Sequence, residues 1–470
     1  MKAANSRGTA PGTPPRTRIL VVGGGYVGMY TALRLQRKLR AGEAEVTVVS
    51  PEPYMTYQPF LPEAAAGSIS PRHVVVPLRR VLGACHVVIG EARSIDHAKR
   101  TATVTTLAAE DGAGDVEIAY DELVLAPGSV SRTLPVPGLA DHGIGFKTVE
   151  EAIGLRNHVI EQMDIASSTR DPALRSAALT FVFVGGGYAG VEALGELEDM
   201  ARYASRFYHN IKPEDMRWVL VEASDRILPE VGPEMGVYTV RELRRRNIDL
   251  RLETRLDSCE NRVAVLSDGA RFPTRTVVWT AGVKPHPVLA ATDLPRNERG
   301  RLVCTARLTV DGAEHAWAAG DAAAVPDLTA DEPGRECAPN AQHALRQAKV
   351  LADNLLASLR GEPLKDYAHR YAGSVASLGL HKGVAHVYGR KIKGYPAWFM
   401  HRAYHLSRVP TFNRKMRVLA EWSLSGLFKR EIVSLGSLEH PRAEFELAAG
   451  GGHRTPPPPP VPDPPQDRPS

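Results

Sequence analysis

The run Arg18-Ile19-Leu20-Val21-Val22-Gly23-Gly24-Gly25-Tyr26-Val27-Gly28 joins an apolar strand to a glycine-rich turn. After Arg18, the four residues Ile19 to Val22 have the continuous aliphatic character of a strand buried on both faces of a parallel sheet. The turn spaces Gly23, Gly25 and Gly28 as GxGxxG, and helical sequence runs on from about Val27 to Leu39. Glu45-Val46-Thr47-Val48-Val49 reads as the next strand, which completes a βαβ unit. Each glycine has a task in such a unit. The first permits a tight turn, the second lets backbone N–H groups approach a pyrophosphate, and the third lets the helix pack on the strand. The pyrophosphate then lies at the positive end of the helix.

The pattern returns once. Leu179 to Val184 is a second apolar strand, followed by Gly185, Gly187 and Gly190 in the same spacing, a helix from Val191 to about Tyr208, and the strand Trp218-Val219-Leu220-Val221. The two turns begin 185 − 23 = 162 residues apart, so a whole domain type is duplicated. One GxGxxG is a weak signal, but two copies in the strand–turn–helix setting are a strong one. A Rossmann unit ends its second strand with an acid for the adenosine ribose diol. In the second unit that acid is Glu222, whose charge favours NADH over NADPH, with Arg226 close by. In the first unit the position is Ser50, followed by Pro51.

Composition sets the frame. The 470 residues are 43% hydrophobic and 24% charged, enough for two or three packed domains. Aromatics at 6% do not suggest a stacking groove for nucleic acid. No apolar run has the length of a spanning helix, and the first 16 residues lack the apolar core of a signal peptide. They read as a disordered leader, and the Pro-rich residues 441–470 as a disordered tail. Cys85, Cys259, Cys304 and Cys337 form no short pair, which argues against electron transfer through a dithiol. The 16 histidines show no metal-ligand spacing, and no metal is expected.

Further motifs carry a family resemblance over about residues 17 to 440. Tyr120-Asp121-Glu122-Leu123-Val124-Leu125-Ala126-Pro127-Gly128, Val277-Val278-Trp279-Thr280-Ala281-Gly282 and Trp317-Ala318-Ala319-Gly320-Asp321 are similar to the recurring signatures of the two-dinucleotide flavoproteins. Ser50-Pro51, Tyr54 and Gln58-Pro59-Phe60-Leu61-Pro62, with Ala341-Gln342 further on, resemble segments of the type II NADH:quinone oxidoreductases. The resemblance implies FAD held by Gly23, Gly25, Gly28, Ser50, Pro51, Gln58, Gly128, Gly320, Asp321 and Ala341, with Asp321 on the ribityl chain. It implies NADH held by Gly185, Gly187, Gly190, Glu222, Ala281 and Gly282. Glu192 matches an acid facing the flavin–nicotinamide contact, and Gln342 the first glutamine of an AQxxxQ quinone motif. The second glutamine of that motif falls on Arg346, with Gln347 one place late, so the resemblance implies a catalytic set of Glu192, Gln342 and Arg346, the arginine facing the quinone head group or a lipid phosphate.

From Lys382 to Arg430 there are eleven Lys or Arg and one acid, Glu421, a net +10 in a chain of +5. Two helical stretches are expected, divided near Pro410. In the second, Phe412, Met416, Leu419, Ser423 and Leu427 share one face, and Arg414, Arg417 and Glu421 lie on another. An anionic leaflet attracts about 1 kcal/mol per basic side chain that reaches it. A peripheral site on the cytoplasmic side of the cell membrane follows as the expectation, with packing on the chain's own core or in a homodimer as the competing reading. No nucleic-acid motif is present.

The expected architecture is α/β: two Rossmann-like dinucleotide-binding domains plus a C-terminal amphipathic helical region. The boundaries are 17–148 with 300–365 for the FAD domain, 149–299 for the NAD domain and 366–440 for the C-terminal region. The expected activity passes hydride from NADH to FAD and electrons to menaquinone or ubiquinone. Alternatives are a soluble NADH-dependent reductase of an iron–sulfur protein and a flavin-bearing NADH sensor. A sulfide:quinone oxidoreductase needs paired reactive cysteines, which only Cys304 and Cys337 could supply through the fold.

Overall fold

The computed structural model describes residues 16–108, 114–332, 334–370, 373–428, 430 and 432–433. Residues 1–15 of the expected leader and the whole of the expected tail lie outside the described residues. Nearly all the described residues belong to one compact unit, 1–432.

The first unit runs β1 (Thr17–Val22), α1 (Tyr26–Lys38), β2 (Ala44–Ser50), β3 (His86–Asp96), β4 (Thr101–Thr106), β5 (Val116–Ala119) and β6 (Glu122–Leu125). The second adds β7 (Gly143–Gly145), α2 (Val149–Ser168), β8 (Thr180–Val184), α3 (Tyr188–Ala204), β9 (Arg217–Val221), β10 (Ile248–Arg251) and β11 (Thr276–Trp279). The chain then returns with β12 (Ala316–Ala318) and α4 (Ala341–Leu359). It ends with β13 (Gly373–Ser377), β14 (Gly383–Val387), β15 (Arg390–Lys393), α5 (Tyr395–Arg408) and α6 (Phe412–Phe428).

The first sheet has the order β12-β6-β1-β2-β3-β4-β5. Its β1 lies parallel to both β2 and β6, and β12 pairs in parallel with β6, so the first domain is completed by a segment some 190 residues later (316 − 125 = 191). The second sheet has the order β7-β11-β8-β9-β10 and all its pairings are parallel. It takes in Gly143–Gly145, so its first strand precedes the boundary expected at 149. The aliphatic runs explain the sheets: Ile19 to Val22 and every residue of β8 are buried. Each such side chain contributes about 1.5–3 kcal/mol on burial.

The helix between the two units starts with both halves of a capping box. Thr148 Oγ1 accepts from Glu151 N, and Glu151 accepts from Thr148 N. Glu151 Oε2 also accepts from Lys147 N at 2.5 Å. The crossing between the domains is thereby fixed at Lys147.

The C-terminal elements form an antiparallel sheet, β13-β14-β15, on which α5 packs, and α6 packs against α5 and the segment around residues 63–74. Buried ion pairs attach them to the body. Arg246 pairs with Glu198 and Asp199 of α3 and donates to the Leu378 carbonyl beside β13. Arg402 of α5 faces Glu63, and Arg430 faces Glu196 of α3 at 2.9 Å. Breaking one such pair leaves a buried charge without compensation, typically a loss of 3–5 kcal/mol.

Candidate active site

The first glycine turn sits where β1 hands over to α1, at the carboxyl end of its sheet. Gly23 has φ +109, a conformation L side chains rarely adopt, and an added Cβ would stand 2.2 Å from the Ala126 carbonyl oxygen. A Cβ on Gly28 would meet the Gly23 carbonyl oxygen at 1.8 Å. Gly25 differs, since a Cβ there would meet nothing within 4 Å. The protein therefore needs Gly23 and Gly28 for its own packing, whereas the space over Gly25 is free for a ligand at the uncapped N-terminus of α1.

That space opens into a cleft of about 600 Å³. Of the residues expected to hold FAD, the cleft is lined by Gly23, Gly25, Ser50, Pro51, Gln58, Gly128, Asp321 and Ala341. Gly28 and Gly320 support it from behind. Gly320 has φ +70, and its N–H donates to Gln347 Oε1 at 2.7 Å. Gln347 thus fixes the turn that presents Asp321. Its place on the face of α4 that carries Ala344 (three residues earlier) was the available signal.

The second turn repeats the logic. Gly185 has φ +117, and a Cβ on Gly190 would stand 2.0 Å from the Gly185 carbonyl oxygen. A Cβ on Gly187 would meet nothing within 4 Å. Glu222 stands at the head of this turn. Its Oε2 accepts from Gly186 N at 2.6 Å, and its Oε1 accepts from Ser224 N and Oγ at 2.7 and 2.6 Å. Arg226 forms an exposed pair with Asp225. Gly282 has φ +95, and Thr280 beside it donates to the Val184 carbonyl. Ala281 packs on the edge of the core around this sheet. An open cradle, a helix N-terminus and a carboxylate at the strand end fit a dinucleotide with a free ribose diol.

Glu192 is buried on the first turns of α3. Its Oε1 accepts from Ser377 N at 2.9 Å and lies 3.1 Å from His401 Nε2, an ion-pair distance with poor hydrogen-bond aim. Burial opposes protonation of His401, yet the facing Glu192 carboxylate, with Glu63 behind it, lifts its pKa above the ordinary imidazole value. Gln342 donates to the Gly373 carbonyl at 3.0 Å, and Arg346 donates to the carbonyl of Gln342 at 3.0 Å. The structure thus joins Glu192 and Gln342 to the C-terminal sheet, and it brings Arg346 back onto its own helix.

Several site residues escaped the sequence reading. Tyr26 lines the cleft, and Tyr57 lies 6.0 Å from it between ring centroids. Tyr57 packs on Phe60 at 5.1 Å, and Phe60 on Trp422 of α6 at 5.7 Å. The Tyr57 hydroxyl is 3.1 Å from His405 Nδ1. Burial, with the neighbouring His401, holds the His405 pKa well below the usual value. An aromatic seam therefore runs from the cleft wall to the two C-terminal helices. These residues are scattered from Tyr26 to Trp422: Tyr26 and Phe60 lie inside the quoted motifs and Tyr57 beside one, whereas His405 and Trp422 belong to none.

Cys304 and Cys337 are free and buried, and burial raises both thiol pKa values, that of Cys337 to about 11. A thiol so protonated is a poor nucleophile. Among the described residues no cluster of His, Cys, Asp or Glu could hold a metal ion.

Two dinucleotide cradles on separate Rossmann sheets, the first sheet closed by a late returning strand, define a flavin- and nicotinamide-dependent oxidoreductase fold. Residues 17–348 match the family described as pyridine nucleotide-disulphide oxidoreductase. A type II NADH:quinone oxidoreductase of Staphylococcus epidermidis is 30% identical over 391 residues, covering 82% of this chain and 93% of that one. This chain belongs to that family. The fold is also that of NDH2 from Plasmodium falciparum, solved in complex with NADH, with a TM-score of 0.81 at 16% identity over 89% of this chain and all of the other. The sulfide:quinone oxidoreductase of Aquifex aeolicus superposes with a TM-score of 0.67 at 18% identity, over 88% and 96% of the two chains.

Proposed function

We propose that this chain oxidises NADH at the second glycine turn and delivers the electrons, through FAD in the first, to a quinone of the membrane. When bound, FAD supplies a two-electron carrier that accepts hydride from NADH and gives electrons to the quinone. The protein supplies position. Gly23 to Gly25 and the N-terminus of α1 hold the pyrophosphate, Ser50 and Pro51 the adenosine side, and Gln58, Gly128, Asp321 and Ala341 the flavin side. Glu222 selects NADH, because a 2′-phosphate would meet its charge. Glu192 acts as a positioning residue, holding Ser377 and His401 against the NAD-domain helix.

The observation that carries the quinone reading is the aromatic seam from Tyr26 to Trp422. It ends on helices whose outer face is apolar: Phe412, Met416, Leu419 and Leu427 are all exposed. No helix among the described residues is long and apolar enough to cross a membrane. Peripheral seating on an anionic leaflet, at the cytoplasmic face, fits that surface and the basic C-terminal third. A second copy of the chain competes for the same face. Light scattering in detergent-free buffer distinguishes them, because a stable dimer there would assign the apolar face to the homodimer.

The test is anaerobic. NADH should bleach the visible flavin band, and a menaquinone or ubiquinone analogue should restore it within the same mixing experiment. Bleaching without recovery would overturn the quinone assignment and point to a protein acceptor.

A further inference from the structure

Lys147 is the only lysine or arginine among the described residues that line the cleft, against five carboxylates: Glu52, Glu91, Glu150, Glu151 and Asp321. It is held from three directions. Its backbone N–H is fixed by Glu151, its carbonyl accepts from Gln58 Nε2 at 3.3 Å, and its Nζ donates to Ser129 Oγ at 2.7 Å. Ser129 in turn donates to Asp321 Oδ2 at 2.6 Å. The carboxylate at the flavin side of the cleft and the lone ammonium are therefore joined by one hydroxyl. An ammonium carries three donors, and Ser129 accounts for one. The others are available to a ligand in the cleft.

We propose that Lys147 is a cofactor-facing residue whose ammonium sets the redox potential of the bound flavin. The proposal rests on the FAD reading of this cleft. Hydride transfer moves two electrons and one proton from NADH to the flavin, which therefore gains one unit of negative charge. A fixed cation at that side of the cleft stabilises the reduced form over the oxidised form. The effect is strongest where the low dielectric screens it least. Burial draws the Lys147 pKa below its ordinary value, while the Asp321 and Glu151 carboxylates work in the opposite direction. His286, which also lines the cleft, feels the same cation: burial lowers its pKa, Glu91 works against that shift and Lys147 adds to it. Nothing else of positive charge among the described lining residues would compensate for its loss.

The experiment uses the full chain with FAD and compares wild type with Lys147→Gln, which keeps a donor toward Ser129 and loses the charge, and Lys147→Arg, which keeps the charge. Spectroelectrochemical titration at pH 7 should show the glutamine variant harder to reduce. Its reduction equilibrium constant should fall at least tenfold, about 30 mV for a two-electron couple. Lys147→Arg should stay close to wild type. In a plot of potential against pH, the break at which the reduced flavin takes up its second proton should move to higher pH in Lys147→Gln. Dissociation constants measured separately for oxidised and reduced FAD should report the same tenfold ratio, and they cover a variant that binds FAD weakly. Equal weakening of both forms, or an unchanged potential and break, would overturn the proposal and leave Lys147 a structural anchor. Absence of a flavin spectrum in wild type would instead sink the FAD reading itself.

Discussion

At the scale of single residues, the glycines separate by what a methyl group would strike. Gly25→Ala adds a Cβ that meets no protein atom, and its φ of −77 suits alanine. The variant should fold with an unchanged melting temperature and lose most of its FAD, read as the flavin absorbance per mole of purified chain. Gly28→Ala drives a Cβ into a backbone oxygen at 1.8 Å and should destabilise the chain before any cofactor is added. The opposite ranking would show that the space above Gly25 is not the cofactor's. Glu222→Ala removes the carboxylate we propose for the ribose diol. Loss of a charge-assisted hydrogen bond costs about 1.5–3 kcal/mol, so kcat/KM for NADH should fall by roughly 10- to 150-fold while that for NADPH falls far less. These residues were legible because each requirement is local: a turn needs glycine at fixed spacing, and a strand end needs an acid. Lys147, Tyr57 and His405 were not, because each acts through partners that only the folded chain supplies. Gln347 shows the boundary between the two cases. Read along the sequence it is one place late for a quinone motif, and in the fold it holds the Gly320 turn that presents Asp321.

At the scale of the element, α6 is amphipathic with the polar side inward. Arg414 donates to the Arg72 carbonyl, Glu421 accepts from Ser70 N and pairs with His73, Trp422 donates to Glu63, and Ser425 donates to the Ser68 carbonyl. Val418 is its one buried aliphatic contact among the described residues, whereas Phe412, Leu427 and Phe428 are each more than three-quarters exposed. Helical periodicity shows that such a helix has two faces, but it cannot say which face meets the body, because the answer depends on the acceptors waiting there. The competing expectation, an apolar face packed on the chain's own core, is not what the contacts show. Leu419→Glu together with Leu427→Glu touches no intramolecular contact of that polar face. The double variant should keep its NADH-dependent reduction of a water-soluble acceptor and lose co-sedimentation with vesicles containing anionic lipid. Unchanged sedimentation would remove α6 from the membrane contact.

At the scale of the whole molecule, two neighbouring histidines of α5 push stability in opposite directions with pH. His401 and His405 lie 4.5 Å apart between ring centroids, the first buried and the second partly buried. The folded-state pKa of His401 is raised by Glu192 and Glu63 against the pull of burial. Its stabilisation is therefore complete below the unfolded value near 6.5 and is lost as pH rises through the folded value. The folded-state pKa of His405 is depressed by burial and by His401. The unfolded chain then binds the extra proton below about pH 6.5, so stability is lost on that side as pH falls. Together they predict a melting temperature that peaks near neutral pH and falls in both directions. Each limb belongs to one residue. His405→Gln should flatten the acid limb and leave the alkaline one, while His401→Gln should flatten the alkaline limb at the cost of a lower plateau, because Glu192 then stays buried without its cation. Melting curves of the FAD-loaded protein from pH 5 to 9 (a range bracketing the ordinary imidazole value) decide it. If both variants kept both limbs, the docking of the C-terminal helices would rest on the arginine pairs of Glu63, Glu196 and Glu198, and the His401–Glu192 contact would be incidental to it.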